Sequence, residues 1–351
     1  MKTLRLGVDG ANLETAEAQD ALGRAAQILR GGGLVALPTE TVYGLGANAL
    51  DAAAVGRIFT AKKRPAWDPV IVHIATFEML EGLVSFSGLD EEGRARRLME
   101  AFWPGPLTLL LTRAAAVPDA VTAGRGLVGV RMPAHPVALE LIRRAGIPVA
   151  APSANLFGHT SPTTAQHVVD DLDGRIDAVL DAGPTGLGLE STVLDCCQSP
   201  MLIYRPGAVT AEQIEAVAGA VEVFASEELR ETPREALPSP GVGLKHYAPR
   251  ARVVLVDAPW EELEERLEKA AARFPAERVG VMLPTEIAAP ARTVLFEWGR
   301  WEAPEELARE LYAGLRALDG LGCTVILCPM PPANGIGAAI RDRLGKAGKL
   351  E

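Results

Sequence analysis

Four cysteines in 351 residues, Cys196, Cys197, Cys323 and Cys328, form no CxxC pair and have no histidine at zinc spacing. That excludes a disulfide framework of the extracellular kind and leaves reduced, mostly buried thiols as the expectation. Aromatic residues are scarce, at 5%. No apolar run reaches the roughly 18 residues a membrane helix needs, so no membrane span is expected. The opening stretch MKTLRLGVDGANLETA contains no apolar core of a signal peptide, which points to the cytoplasm. Basic residues are in deficit, 35 against 45 acidic, for a net charge of -10. Such a balance weighs against broad nonspecific nucleic-acid binding and leaves room only for a local basic groove. Four familiar motifs are missing: GxxxxGK[ST], GxGxxG opening a helix after a strand, GxSxG and HExxH. A Walker loop, a dinucleotide fingerprint, a nucleophile elbow and a zinc-protease helix are thereby excluded. Gly335 and Gly337 in ANGIGAAI supply half a dinucleotide fingerprint and read more simply as a helix entry.

What the chain does have is aliphatic sequence cut by 35 glycines and 26 prolines, the composition of an α/β protein with many tight turns. Helical spacing runs from Thr15 to Arg30 and stops at Gly31, Gly32 and Gly33. Short apolar runs then predict strands at 34–37, 69–74, 107–111, 127–130, 148–151, 178–180, 192–194 and 201–204. Helices are predicted at Ala52–Thr60, Glu91–Ala101, Pro136–Ala145 and Thr164–Leu172, giving a mixed sheet layered with helices. Beyond a proline-rich stretch, β and α segments alternate from Arg252 to Lys346 as a small, parallel, doubly wound sheet would require. The domains read as 1–215, a connecting segment 216–249, and 250–351.

Polar residues with chemical potential gather where apolar strands end, the usual ligand position in α/β folds. In PTETVYGLG (38–46), Thr39, Thr41 and Tyr43 alternate with hydroxyls on one face of an extended segment, although a plain polar turn has the same composition. In AKKRPAWDPVIVHI (61–74), Lys62 and Arg64 stand two apart in an extended loop. They suit a polyphosphate, and equally a solvated charge pair. His73 ends an apolar strand, as a core histidine or a ligand-binding one. Arg131 follows a strand. Ser153, Asn155, Ser161, Thr163 and Thr164 lie in a loop reaching a helix N-terminus, where hydroxyls cap the helix or help hold an anion. Ser191 and Arg205 sit beside two further strands.

Taken together, PTETVYGLG, AKKRP with DPVIVHI, WPGPLTLLL (103–111), VGVRMPAHP (128–136), APSAN (151–155), SPTT (161–164), LESTVLD (189–195), YRPG (204–207), SPGVGLKHYAP (239–249) and GIGAAIRDRLGKA (335–347) resemble the threonylcarbamoyl-AMP synthase family in its long form. The resemblance implies a YrdC-like catalytic domain with a twisted mixed sheet, plus a small Rossmann-like C-terminal domain. It also implies synthesis of threonylcarbamoyl-AMP from L-threonine, bicarbonate or CO₂, and ATP with Mg²⁺, pyrophosphate being released. By the family pattern Thr41, His73, Arg131, Ala151 and Ser191 contact threonine. Arg64, Asp68, Leu127, Ser153, Ser161, Arg205 and Tyr247 contact ATP, with Lys62 and Arg64 acting in catalysis and no protein side chain ligating the metal. Where the family usually has Asn-Pro-Leu, this chain has Asp68, Pro69 and Val70, placing an acid near the nucleotide. Residues 216–249 are expected to close over the site as a lid. tRNA and the proteins of the later transfer step are the implied transient partners, and a YrdC-like RNA-binding module is the alternative function.

Overall fold

The computed structural model describes residues 2–85, 93–224 and 247–350. The chain forms two units. The first comprises Met1–Phe157, Pro162–Gly186 and Glu190–Gly243, and the second Gly158–Ser161, Leu187–Leu189 and Leu244–Glu351.

Along the first unit run β1 (Leu4–Gly7), α1 (Ala16–Arg30), β2 (Val35–Leu37), β3 (Gly44–Asn48), α2 (Ala52–Lys62), β4 (Val72–His73), α3 (Glu78–Glu81), α4 (Arg94–Phe102) and β5 (Leu107–Thr112). There follow α5 (Asp119–Thr122), β6 (Leu127–Arg131), α6 (Pro136–Ala145), β7 (Val149–Ala150), α7 (Ala165–Leu172), β8 (Ala178–Asp181), β9 (Thr192–Asp195), β10 (Met201–Arg205), α8 (Ala211–Ala218) and β11 (Val221–Val223). The helices begin where side chains can take up their free amides. Thr15 caps α1, Asp51 accepts from both Ala53 and Ala54 at α2, Thr164 caps α7, and Thr210 with Gln213 forms a reciprocal capping box at α8. Helix α6 opens on Pro136 and closes on Gly146 at φ 66°, a left-handed position that favours glycine.

Eleven strands form one mixed sheet in the order β1-β8-β2-β3-β7-β4-β6-β5-β9-β10-β11. Alternation along the central strands separates two environments. Val72, Val128, Val130, Leu109, Leu111 and Leu194 enter the main core beneath the helices. Ile71, Leu110 and Val193 point the other way, into a small cluster with Leu127 and Tyr204. His73, Arg131, Thr108 and Ser191 have the same parity as that second set, so the polar residues at the strand ends share its face.

The second unit contains β12 (Arg252–Val256), α9 (Trp260–Ala272), β13 (Val279–Pro284), β14 (Val294–Gly299), α10 (Pro304–Gly320), β15 (Val325–Pro329), α11 (Ile336–Ala347) and β16 (Gly348–Leu350). Its sheet, ordered β14-β13-β15-β12-β16, is parallel at every pairing. Val279, Val281 and Leu283 of β13 pack toward α9, whereas a side chain at Gly280 would meet Leu318 of α10. Both faces of the sheet are thus covered, which is why β13 and β15 read as uninterrupted apolar runs.

The expected fold class, a mixed sheet joined to a small parallel one, is the one observed. Helix α8 runs through residue 215, and β11 pairs in parallel with β10. Strands β1, β3, β11 and β16 escaped the sequence reading because glycine or charged residues interrupt their apolar runs. Residues 225–246, the body of the expected lid with Lys245 and His246, lie outside the described residues, as do Glu91 and Glu92 of the helix expected from 91.

Candidate active site

After β2 the chain turns through Thr39, Glu40 and Thr41. The two threonine hydroxyls are 2.7 Å apart, and Thr39 Oγ1 donates to the Val42 carbonyl at 2.6 Å, so the turn is locked from within. Arg131, at the end of β6, reaches this turn: Nη1 donates to Thr41 Oγ1 at 2.9 Å and Nε to the Gly105 carbonyl at 3.0 Å. Its Nη2 forms an ion pair with Glu40 Oε1 at 2.5 Å, and Glu40 Oε2 has no hydrogen-bond partner among the described residues. His73 is in register with Arg131 on the neighbouring strand. Burial, reinforced by the Arg131 charge, pushes its imidazole down to about 3, and Nδ1 is unpartnered. His73 is therefore neutral at ordinary pH and a weak base. Tyr43 departs from the expected alternation, since its hydroxyl turns away to donate to the Gly183 carbonyl at 2.7 Å.

A second group of charges surrounds Asp68. Arg64 Nη2 contacts Asp68 Oδ1 at 2.9 Å and the Pro69 carbonyl at 2.7 Å, and Nε donates to the Asp68 carbonyl at 3.3 Å. Burial raises the Asp68 carboxyl above its ordinary range, while Arg64, then Lys62 and Arg205, draw it back. The departure from the family's asparagine thus sits among three cations. Lys62 is not in an extended loop, as expected, but is the last residue of α2; Lys63, at φ 53°, turns the chain before Arg64. Its ammonium, 1% exposed as a residue, donates to the carbonyls of Ser153 and Asn155, each at 2.5 Å. Lys62 therefore shapes the 151–155 loop.

The third group lies on β9 and β10. Arg205 spreads its fork over Ser191, Nε to the carbonyl at 3.0 Å and Nη2 to Oγ at 3.1 Å, while Ser191 Oγ is 2.8 Å from Thr108 Oγ1. Gly207 makes this approach possible, because a Cβ there would stand 2.4 Å from the Thr192 nitrogen and 2.7 Å from the Ser191 carbonyl carbon.

The remaining predicted positions divide between the units. Ala151 follows β7 and its amide donates to the Ile71 carbonyl at 2.9 Å. Ser153 bridges to Gly44, and Leu127 packs on the small apolar cluster. Ser161 and Tyr247 belong to the second unit. The Ser161 carbonyl accepts from Arg316 at 3.4 Å. Tyr247, at φ 66° and 2% exposed, stacks on Tyr312 with centroids 5.8 Å apart and has the Arg343 guanidinium 5.3 Å from its ring centre. Sequence reading passed over Thr108, gave Glu40 no role, and placed Asn155 only in the loop reaching a helix N-terminus. A lone threonine inside the LTLLL strand, at even parity, was the available signal for Thr108.

Guanidinium groups and hydroxyls gathered at strand ends of an α/β sheet are an arrangement suited to anionic ligands held by charge and position. A family model described as telomere recombination (Sua5, YciO and YrdC) matches residues 27–207, and one described as threonylcarbamoyl-AMP synthase, C-terminal domain, matches 209–348. A threonylcarbamoyl-AMP synthase of Pyrococcus abyssi is 44% identical over 92% of this chain and 92% of its own. One of Bacillus subtilis is also 44% identical, over 99% and 98% respectively. The crystal structure of P. abyssi Sua5 complexed with L-threonine superposes with a TM-score of 0.90 at 41% identity, covering 98% of this chain and 97% of that one. The chain belongs to the threonylcarbamoyl-AMP synthase family.

Proposed function

We propose that the chain condenses L-threonine, bicarbonate or CO₂, and ATP into L-threonylcarbamoyladenylate, releasing pyrophosphate. The enzyme is of the nucleotidyltransferase type, and its product serves threonylcarbamoyladenosine formation beside the anticodon of tRNA. The observation that supports this reading best is the Thr41–Arg131–Glu40 cluster, in a chain whose relative has been solved with L-threonine. Thr41, His73, Arg131, Ala151 and Ser191 are the threonine contacts in this reading. Arg64, Asp68, Leu127, Ser153, Ser161, Arg205 and Tyr247 are those of ATP, by the family pattern.

Arg64 and Arg205 bring fixed positive charge to the triphosphate, and Lys62 acts by holding the loop that carries Ser153. The carbamate oxygen of threonine attacks the α-phosphorus, the bond to the β-phosphate oxygen breaks, and pyrophosphate leaves. Orientation and charge stabilisation supply most of the acceleration. Mg²⁺ accompanies ATP. In this reading it would be held by phosphate oxygens and water, with no protein side chain assigned to it. tRNA and the proteins that transfer the threonylcarbamoyl group are transient partners, met in the cytoplasm.

Pyrophosphate release, measured with each substrate omitted in turn, tests the reading, with mass spectrometry of the nucleotide product. Release should require threonine and bicarbonate together. Unchanged release without threonine would sink the assignment.

A further inference from the structure

The cluster after β2 keeps one buried acceptor, Glu40 Oε2, open beside an ion pair. Oε1 is the oxygen paired with Arg131 Nη2, 2.5 Å away. A charged group held out of water in this way is costly unless a ligand completes its bonding. The charges of Arg64, Lys62 and Arg205 act on the Asp68 carboxyl, and Arg64 forms an ion pair with it. Glu40 differs: among the described residues its carboxylate is paired with Arg131 at contact distance, with His135 near enough to feel its charge. A guanidinium beside an open carboxylate oxygen matches the two ends of a zwitterion, the carboxylate of an α-amino acid on Arg131 and its ammonium on Glu40 Oε2.

We propose that Glu40 receives the α-ammonium of the bound amino acid on its open Oε2, in a charge-assisted hydrogen bond; this rests on the reading that the chain uses threonine. Glu40 thus selects for an amino acid over the corresponding hydroxy acid.

The test compares equilibrium binding of L-threonine and of 2,3-dihydroxybutanoate, its counterpart with hydroxyl in place of ammonium, to the full chain and to Glu40→Gln. The variant should bind threonine about ten- to hundredfold more weakly, the value of one charge-assisted contact, and the hydroxy acid within about twofold of the parent. Glu40→Asp, which keeps the charge, should recover part of the threonine affinity. Equal losses for both ligands would mean that Glu40 only supports Arg131, and unchanged threonine binding would remove it from the subsite; either result overturns the proposal. Should Glu40→Gln fail to fold, Glu40→Asp, which keeps the charge but shortens the reach, makes the same two-ligand comparison. A parent chain that binds no threonine overturns the functional reading itself, and this proposal with it.

Discussion

The ammonium of Lys62 donates to the carbonyl oxygen of Ser153 at 2.5 Å, tying the end of α2 to a loop 91 residues further along. A second bond to the Asn155 carbonyl makes the lysine a bracket for the loop that contains a predicted ATP contact. Residues that bracket a site differ from residues that touch its ligand in what their loss does to the empty protein.

Lys62→Met keeps the aliphatic stem but orphans two buried carbonyls, each worth about 1–3 kcal/mol. At roughly 2–4 °C per kcal/mol for a domain of this size, the ligand-free melting temperature should fall by several degrees, and ATP binding should weaken as the loop loosens. Differential scanning calorimetry without ligand checks this. A variant that melts like the parent and loses only ATP affinity would assign Lys62 to phosphate instead.

His73 predicts a pH dependence of stability. Above its ordinary value of 6.5 the imidazole is neutral in folded and unfolded chains alike and contributes nothing. As pH falls below 6.5 the unfolded chain takes up a proton that the folded chain refuses until about 3, so the folded state loses stability throughout that window. At about pH 5 the loss amounts to about 2 kcal/mol. His73→Gln removes this term, so denaturation curves at pH 7 and pH 5 should show the variant gaining by about that amount relative to the parent. A constant difference between the two proteins would mean that His73 titrates normally in the fold.

Gly207→Ala adds one methyl group where the Thr192 nitrogen stands 2.4 Å away. Backbone cannot move aside as a flexible side chain would, so β9 must shift and take Ser191 with it. Overpacking of this kind typically costs about 1–3 kcal/mol. The expected outcome is a lower melting temperature together with a raised KM for threonine. Wild-type kinetics from a destabilised variant would show that the strand absorbs the shift without disturbing Ser191.

Much of the fold was legible because its strands are aliphatic and its helices are capped by threonine, aspartate or proline at their starts. The site was less so. The bond from Arg131 to Thr41 joins residues 90 apart, and that from Lys62 to Asn155 joins residues 93 apart, so no local pattern announces either. Residue type and strand-end position were enough to nominate Thr41, His73, Arg131, Ser191 and Arg205. They could not show that Glu40 pairs with Arg131 and keeps one oxygen open, since the two residues lie far apart in the chain. Lys62 was misplaced for a local reason: Pro65 suggested a loop, whereas α2 continues to Lys62 and the chain turns at Lys63.

Arg205 and Ser191 should act as one unit. The fork of Arg205 holds both the carbonyl and the hydroxyl of Ser191, and Thr108 holds the same hydroxyl from β5. Arg205→Lys retains the charge but cannot reproduce two bonds in fixed geometry, so a phosphate contact that depends on charge alone would survive it, whereas the orientation of Ser191 would not. The substitution should therefore raise KM for threonine as well as for ATP and lower kcat/KM by about tenfold or more. Ser191→Ala should affect threonine chiefly. In the double variant, the second change should cost less than it does alone, by a coupling of about 0.5–3 kcal/mol, because the first has already released the shared hydroxyl. Steady-state kinetics of the two single variants and the double variant measure this coupling. Additive losses would separate the two residues, leaving Arg205 to the nucleotide and Ser191 to the amino acid.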